Sequence, residues 1–249
     1  MLEWALFIKS SVKRPKLFKA NVLITNREIT NGYDKIADKI YMSEKFYQTC
    51  INIAGKIHGD IIDIGCGQGF LLEKITKNYM VNSAVGIDIS PKLCLISKAR
   101  NPEATILNLS AEEIDNIFAD NSFDFVFLTE VLEHLLFPDI VLTKVSNILK
   151  PTGKLILTVP NRDWIRYEKY KAKRRIFQPV DDHFYRFTEI IKLLKKSNFE
   201  LEKILGEDML FHSSGVKKRI DHILLLIFPQ LNRKMKRLVI RARNKKSES

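Results

Sequence analysis

Cysteine is scarce in this 249-residue sequence: Cys50, Cys66 and Cys94 are the only three. They stand at no metal-ligand spacing and are too few to staple a secreted scaffold, so a reducing, cytoplasmic setting is expected. Long apolar runs are missing too. The longest, Ile223 to Phe228, has six residues, against the roughly 20 that a membrane-spanning helix needs. The apolar start, Met1 to Ile8, carries Glu3 and is followed by Lys9, Lys13 and Arg14. A secretory signal has its charges in the reverse order, so this segment is read as retained. No internal repeat and no low-complexity linker occurs. An apolar share of 45% and a charged share of 28% exclude a disordered or collagen-like chain. The length fits one large domain or a domain with a cap.

Charge is plentiful but unevenly placed. The net formal charge is +12. Residues Gly215 to Ser249 hold eleven Lys/Arg against Asp221 and Glu248, and Arg162 to Arg175 hold seven against two acids. The remainder is slightly acidic. Two basic attachments on a near-neutral core would attract a polyanion such as nucleic acid, anionic lipid headgroups or a phosphorylated substrate. The plainer alternative is a solvated face.

From Asp60 onward, short apolar runs alternate with helical patterns, which predicts a doubly wound α/β fold with a mostly parallel sheet. Strands are expected at Asp60–Ile64, Ala84–Ile87, Ala104–Leu107, Phe123–Leu128 and Lys154–Val159. Helices are expected at Phe70–Lys77, Pro91–Arg100 and Glu133–Leu149, with a short turn at Ala111–Ile117. Ser90 before Pro91 reads as an N-cap with proline at the first helical position. Lys150-Pro151-Thr152-Gly153 reads as the turn into the next strand. The alternation then breaks. Pro160 to Phe187 is a basic and aromatic stretch (Trp164, Tyr167, Tyr170, Phe177, Phe184, Tyr185), the profile of a lid. A helix over Thr188–Ser197 and strands at Phe199–Leu205 and Arg237–Ala242 come next. Between those strands, Ile220, Ile223, Leu224 and Ile227 mark one apolar helix face beside Lys217, Lys218 and Arg219. Residues 1–45 are expected to form a helical segment over the mouth of the sheet. Residues 46–249 would form the main domain, with 160–187 as basic lid and 215–235 as amphipathic insertion.

The most informative segment is Asp63-Ile64-Gly65-Cys66-Gly67-Gln68-Gly69, which closes one strand and opens a helix. Its glycines permit a tight turn and let backbone N–H groups approach a ligand at the helix N-terminus. Asp88 stands nineteen residues beyond Gly69, at the end of the next strand, where an acid can accept both ribose hydroxyls of an adenosine. A dinucleotide fingerprint needs glycine where this chain has Phe70. Asp63 would repel a diphosphate but could sit beside a cationic amino group. The pair therefore suits a nucleoside that bears an amino acid.

These residues resemble the first motif and ribose acid of the class I S-adenosylmethionine-dependent methyltransferases. Ser110-Ala111-Glu112 falls where that family flanks the adenine, with Ser110 replacing the usual Asp. Asn121–Asp124 and Thr129–Leu135 resemble its fourth strand and the helix after it, and Leu149–Leu155 the turn before its fifth strand. The resemblance spans about Tyr33 to Phe199. It implies a seven-stranded Rossmann-like sheet with an antiparallel last strand, and S-adenosylmethionine held by Asp63, Gly65, Cys66, Gly67, Gly69, Asp88, Ile89, Ser110, Ala111, Glu112 and Thr129.

Methyl transfer from a sulfonium needs a base only where the acceptor is a weak nucleophile such as a hydroxyl, and histidine is the usual choice. Of five histidines, His134 and His183 fall where the resemblance puts the pocket and are the catalytic candidates. Read as helix, Glu130, Glu133 and His134 share one face. With His183 they could hold a divalent cation, and Glu-x-x-Glu-His is similar in prenylquinone-precursor O-methyltransferases and in small-RNA 2′-O-methyltransferases. Alternatively the acids satisfy a helix dipole and His134 packs beneath the cofactor. The leading expectation is methylation of a hydroxyl on a small-molecule or lipid-linked acceptor, with peripheral contact to an anionic membrane through the C-terminal insertion. The second is an RNA methyltransferase whose basic lid and aromatics grip nucleic acid. The third is a non-catalytic cofactor-binding protein on the same fold.

Overall fold

The computed structural model describes residues 26–39, 42–172, 183–208 and 229–246. The basic insertion face around Ile220, Ile223, Leu224 and Ile227, the cluster Lys217–Arg219, Phe177 and the apolar start Met1–Ile8 lie outside these residues.

The described chain runs α1 (Asn26–Ile36), α2 (Glu44–Ala54), β1 (Asp60–Ile64), α3 (Phe70–Asn78), β2 (Ser83–Asp88), α4 (Pro91–Arg100), β3 (Thr105–Asn108) and β4 (Phe123–Thr129). It continues as α5 (Pro138–Ile148), β5 (Leu149–Pro160), α6 (Tyr167–Lys171), α7 (Phe187–Lys196), β6 (Phe199–Glu207) and β7 (Arg237–Asn244). The sheet has seven strands in the order β3-β2-β1-β4-β5-β7-β6. Every pairing is parallel except those of β7, which is antiparallel to both neighbours.

Because side chains alternate across a strand, the two faces carry different residues into different cores. Ile62, Ile64, Val126, Leu128, Leu155 and Leu157 face α5 and α7, where Val141, Val145, Ile190 and Leu194 meet them. Ile61, Phe125, Phe127, Ile156 and Val239 face Phe46, Ile53, Leu72 and Ile75 of α2 and α3. The parallel strands are therefore covered on both sides, as their near-continuous apolar runs require. Ser43 and Ser90 cap α2 and α4, accepting from the N–H groups of Phe46 and Leu93 at 3.2 and 3.1 Å.

Two expectations are corrected. The helix expected at Glu133–Leu149 is split into a 3₁₀ turn at Leu132–His134 and α5 from Pro138. Proline lacks the N–H that a helix interior uses but fits the first helical turn, so the helix restarts there. The turn expected at Lys150–Gly153 lies within β5 as an excursion, since Phe123 pairs with Leu149 and Phe125 already with Lys154. Lys150 Nζ pins it, bridging Asp60 at 3.0 Å and Asp124 at 2.7 Å. At the far edge, Glu200 and Glu202 of β6 pair with Arg243 and Arg241 of β7 at 2.7 and 2.8 Å.

Candidate active site

The strand-to-helix turn after β1 is built by backbone geometry. Gly65, Gly67 and Gly69 all have positive φ, at 74, 53 and 78°, a region costly for other residues. The N–H groups of Gly65 and Cys66 donate to the Ile87 carbonyl at 2.8 and 2.9 Å, tying the turn to β2. A Cβ on Gly65 would stand 2.2 Å from Val131 Cγ2, whereas one on Gly67 would meet nothing within 4 Å. Gly67 thus borders open space, which is the cavity itself.

That cavity has a volume of about 280 Å³ and opens at the carboxyl ends of β1, β2 and β4. Every cofactor candidate named from the sequence except Gly69 lines it: Asp63, Gly65, Cys66, Gly67, Asp88, Ile89, Ser110, Ala111, Glu112 and Thr129. Gly69 instead caps α3, where Asn101 Nδ2 donates to its carbonyl at 3.1 Å. Asp88 is buried, and its carboxylate accepts from Gly67 N at 2.9 Å and Ser90 N at 2.9 Å. Asp63 is buried as well, at 1% exposure, and its Oδ1 accepts no hydrogen bond. Burial first, and the charge of Asp88 second, push the Asp63 carboxyl up to about 8. A buried carboxylate without a donor is costly, and a cationic ligand group would relieve it. The cradle beside Gly67 and this orphaned oxygen both fit a nucleoside that carries an ammonium.

The cavity wall also includes Glu130, Val131, Glu133, His134, Leu135 and Leu136, from the segment that follows β4. Glu130 leaves β4 in a left-handed conformation, φ 55°. Its Oε1 accepts from Thr158 Oγ1 at 2.8 Å and pairs with Arg237 Nε at 2.9 Å. The Tyr33 ring lies edge-on to His134, 6.0 Å between centroids. Burial lowers the His134 imidazole to about 4, against a smaller opposing pull from Glu130. His134 is therefore neutral at physiological pH.

The expected shared helical face of Glu130, Glu133 and His134 does not form, because Glu130 stands in the left-handed region and precedes a short 3₁₀ turn. Glu130 already holds a guanidinium, and Glu133 is buried at 4% exposure. Among the described residues no three His, Cys, Asp or Glu side chains stand together as metal ligands. Glu130, Glu133, His134 and His183 as placed do not fit a cation site. His183 is not on the cavity wall. Its N–H donates to the Glu133 carbonyl at 3.0 Å and its ring packs edge-on against Tyr185, 4.3 Å away. The Asn161–Tyr185 bridge returns the chain beside the Leu132–His134 turn, so His183 buttresses that turn.

The aromatics after β5 pack on one another. Trp164 meets Tyr170 at 5.7 Å and Phe184 meets Tyr167 at 5.2 Å, with Trp164 and Phe184 buried. Ile29, Tyr33, Met42, Phe46 and Tyr47, brought by the N-terminal helices, complete the cavity wall. No local motif in the sequence marks these five, since they reach the site through contacts distant along the chain. Helix α1 is tied down by Asp34, which accepts from Ser90 Oγ, and just past its end by Gln68 Nε2, which donates to the Ala37 carbonyl at 2.9 Å.

Residues 62–157 match a methyltransferase domain family. A ubiquinone biosynthesis O-methyltransferase of Xanthomonas euvesicatoria pv. vesicatoria is 25% identical over 175 residues, covering 65% of this chain and 70% of that protein. One of Xanthomonas oryzae pv. oryzae is 30% identical over 159 residues, covering 59% of this chain and 64% of that protein. The chain thus spans about two thirds of the length of these relatives. Among solved structures, a SAM-dependent methyltransferase from Thermotoga maritima superposes with a TM-score of 0.62 at 19% identity, covering 88% of this chain and 100% of that one. That likeness is one of fold. Among the described residues, no helix is long and apolar enough to cross a membrane.

Proposed function

We infer that this member of the class I S-adenosylmethionine-dependent methyltransferases carries the methyl group to a hydroxyl on a small-molecule or lipid-linked acceptor. The observation that carries this reading is a cavity of about 280 Å³ whose wall joins two chemically different sets of residues. One set is the glycine turn with Asp63 and Asp88. The other is Glu130 and His134 with Phe46, Leu135 and Leu136.

Bound S-adenosylmethionine supplies a methyl carbon activated by its sulfonium, so the reaction is an in-line displacement in which positioning carries much of the rate. Asp63 Oδ1 suits a cationic amino group. Asp88 spends two lone pairs on Gly67 and Ser90 and keeps others for the ribose hydroxyls. His134 is neutral, so it can accept a hydrogen bond from the hydroxyl without setting a second positive charge beside the sulfonium. The apolar wall keeps water from competing as acceptor.

The O-methyltransferase names of the relatives support a hydroxyl acceptor. The RNA reading gains less support, because Trp164, offered for base stacking, is buried against Tyr170. Association with an anionic membrane remains part of the proposal for a lipid-linked acceptor. The test is transfer of labelled methyl from S-adenosylmethionine into an extract of the source cells, partitioned into organic, aqueous small-molecule and RNA fractions. Label in the organic or small-molecule fraction is expected; label confined to RNA overturns the reading.

A further inference from the structure

The site holds a cation that belongs to the chain. Arg237, the first residue of β7, is inserted between two acids, one just after β4 and one at the end of β6: Nε is 2.9 Å from Glu130 Oε1 and Nη1 is 2.8 Å from Glu207 Oε2. Its side chain is 12% exposed, that of Glu207 is 5% exposed, and its guanidinium carbon lies 5.0 Å over the Phe46 ring. Thr158 of β5 closes the group by donating to Glu130 Oε1 and accepting from the Glu130 N–H at 2.9 Å. Arg237 of β7 thus gathers Glu207 of β6, Phe46 of α2 and Glu130, which Thr158 of β5 also holds. Both contacts of the Glu130 carboxylate use Oε1, and Glu130 lines the cavity next to His134.

Burying such a group is expensive. A paired charge in an apolar setting barely recovers its desolvation, and a spare acid makes the balance worse. A fold that only needed to close β7 onto β5 could do so with apolar residues. What the arrangement provides is a carboxylate of fixed orientation, with a second oxygen left for a ligand in the cavity. It also sets a guanidinium against Glu130 Oε1, so a divalent cation on that carboxylate would sit beside a like charge.

We propose that Arg237 is a positioning residue for the acceptor: it holds Glu130 as a hydrogen-bond acceptor for the hydroxyl that is methylated, and transfer proceeds without a divalent metal. The proposal rests on the hydroxyl-acceptor reading above. A carboxylate clamped in this way orients a phenol or a vicinal diol through the hydroxyl proton, leaving an oxygen lone pair free for the methyl carbon; as the O–CH3 bond forms and the S–CH3 bond breaks, the proton passes to Glu130 and the cofactor leaves as a neutral thioether.

The test uses the full chain with catechol and a panel of phenols as probes. Calorimetry with S-adenosylmethionine is run first, to check the cofactor reading by itself. Wild-type transfer to catechol is expected to be unchanged by excess EDTA, and Mn²⁺ alone is expected to cause no melting shift and no binding heat. Arg237→Met should raise the catechol KM at least tenfold while S-adenosylmethionine affinity changes less than twofold. Arg237→Lys should recover part of the loss, as should guanidinium ion added to Arg237→Met. Because Arg237→Met leaves Glu207 buried and unpaired, the double variant Arg237→Met/Glu207→Gln is measured beside it as the folding control. Loss of wild-type transfer in EDTA overturns the proposal, as does Mn²⁺ binding that Glu130→Gln abolishes, or a double variant with an unchanged catechol KM. If the cofactor binds and no phenol is methylated, the hydroxyl reading fails and the role of Glu130 falls with it. If the cofactor does not bind, the failure lies with the methyltransferase reading.

Discussion

Asp63 and Asp88 end neighbouring parallel strands and line one cavity, yet their carboxylates are satisfied unequally. Asp88 accepts two backbone hydrogen bonds, from Gly67 and Ser90, while Asp63 Oδ1 accepts none. The charge of Asp88 disfavours ionisation of Asp63, and the burden falls on Asp63 as the one without donors.

Cofactor binding should therefore release a proton. In the free protein Asp63 titrates near 8, against 3.8 for the ordinary carboxyl. The folded state keeps a proton that the unfolded chain gives up over that window. Its stabilising contribution is complete below about pH 4 and is lost as pH rises through 8. An ammonium placed beside Asp63 reverses the shift. Titration calorimetry at pH 7 in two buffers of different ionisation enthalpy should register close to one proton released. Asp63→Asn should register none, and equal heats in both buffers for wild type would contradict the assignment.

Asp88→Ala should abolish S-adenosylmethionine binding and also cost stability. Its carboxylate holds the Gly67 and Ser90 N–H groups, and each buried donor left unpaired costs about 1–3 kcal/mol. Asp88→Asn keeps an acceptor and should recover part of the stability. Urea melts and equilibrium dialysis separate the two effects; an Asp88→Ala protein that still binds the cofactor normally would mean the site lies elsewhere.

The rate profile should lack a histidine limb near neutrality. His134 is lowered to about 4 from 6.5 by burial, so the neutral ring's contribution to stability is complete above 6.5 and is lost as pH falls through 4. Profiles of kcat/KM should stay flat from pH 5.5 to 7 as far as this group is concerned. A step centred at 6.5 that vanishes in His134→Gln would show the ring to be exposed in solution.

Asn161 should matter for stability and not for cofactor affinity. It is fully buried, donates to the carbonyls of Arg233 and Met235 at 2.8 and 2.6 Å, and accepts from Asp163 N at 2.9 Å. Asn161→Ala strands these groups, at about 1–3 kcal/mol. That corresponds to a drop of roughly 2–12 °C in Tm for a chain of this size. An unchanged melt would mean that the segment before β7 detaches from the end of β5.

The features legible in the sequence are the local ones. Asp63 to Gly69 and Asp88 each declare themselves within one strand-turn unit, and the alternation of apolar runs with helical patterns leads to the sheet order through the resemblance. The break at Pro138 carries its own signal, proline, which the apolar periodicity from Glu133 to Leu149 masks. Arg237 and Glu130 meet only because β7 inserts beside β5, and nothing near either residue announces that partner. The place of His183 is not legible for a related reason. Its backbone N–H serves the Glu133 carbonyl and its ring packs on Tyr185, contacts that depend on the return of the chain at Tyr185.

Strand β7 begins at Arg237 opposite Pro160, where β5 ends, and opposite Glu207, where β6 ends. Where β5 and β6 end and β7 begins, the chain is therefore at the cavity end of the sheet, while the strands themselves carry the packing. Connections mounted on a rigid scaffold are the parts that change most cheaply. A change of sequence in what joins these three strand ends would thus leave β1, β2 and the glycine turn between β1 and α3 inherited intact.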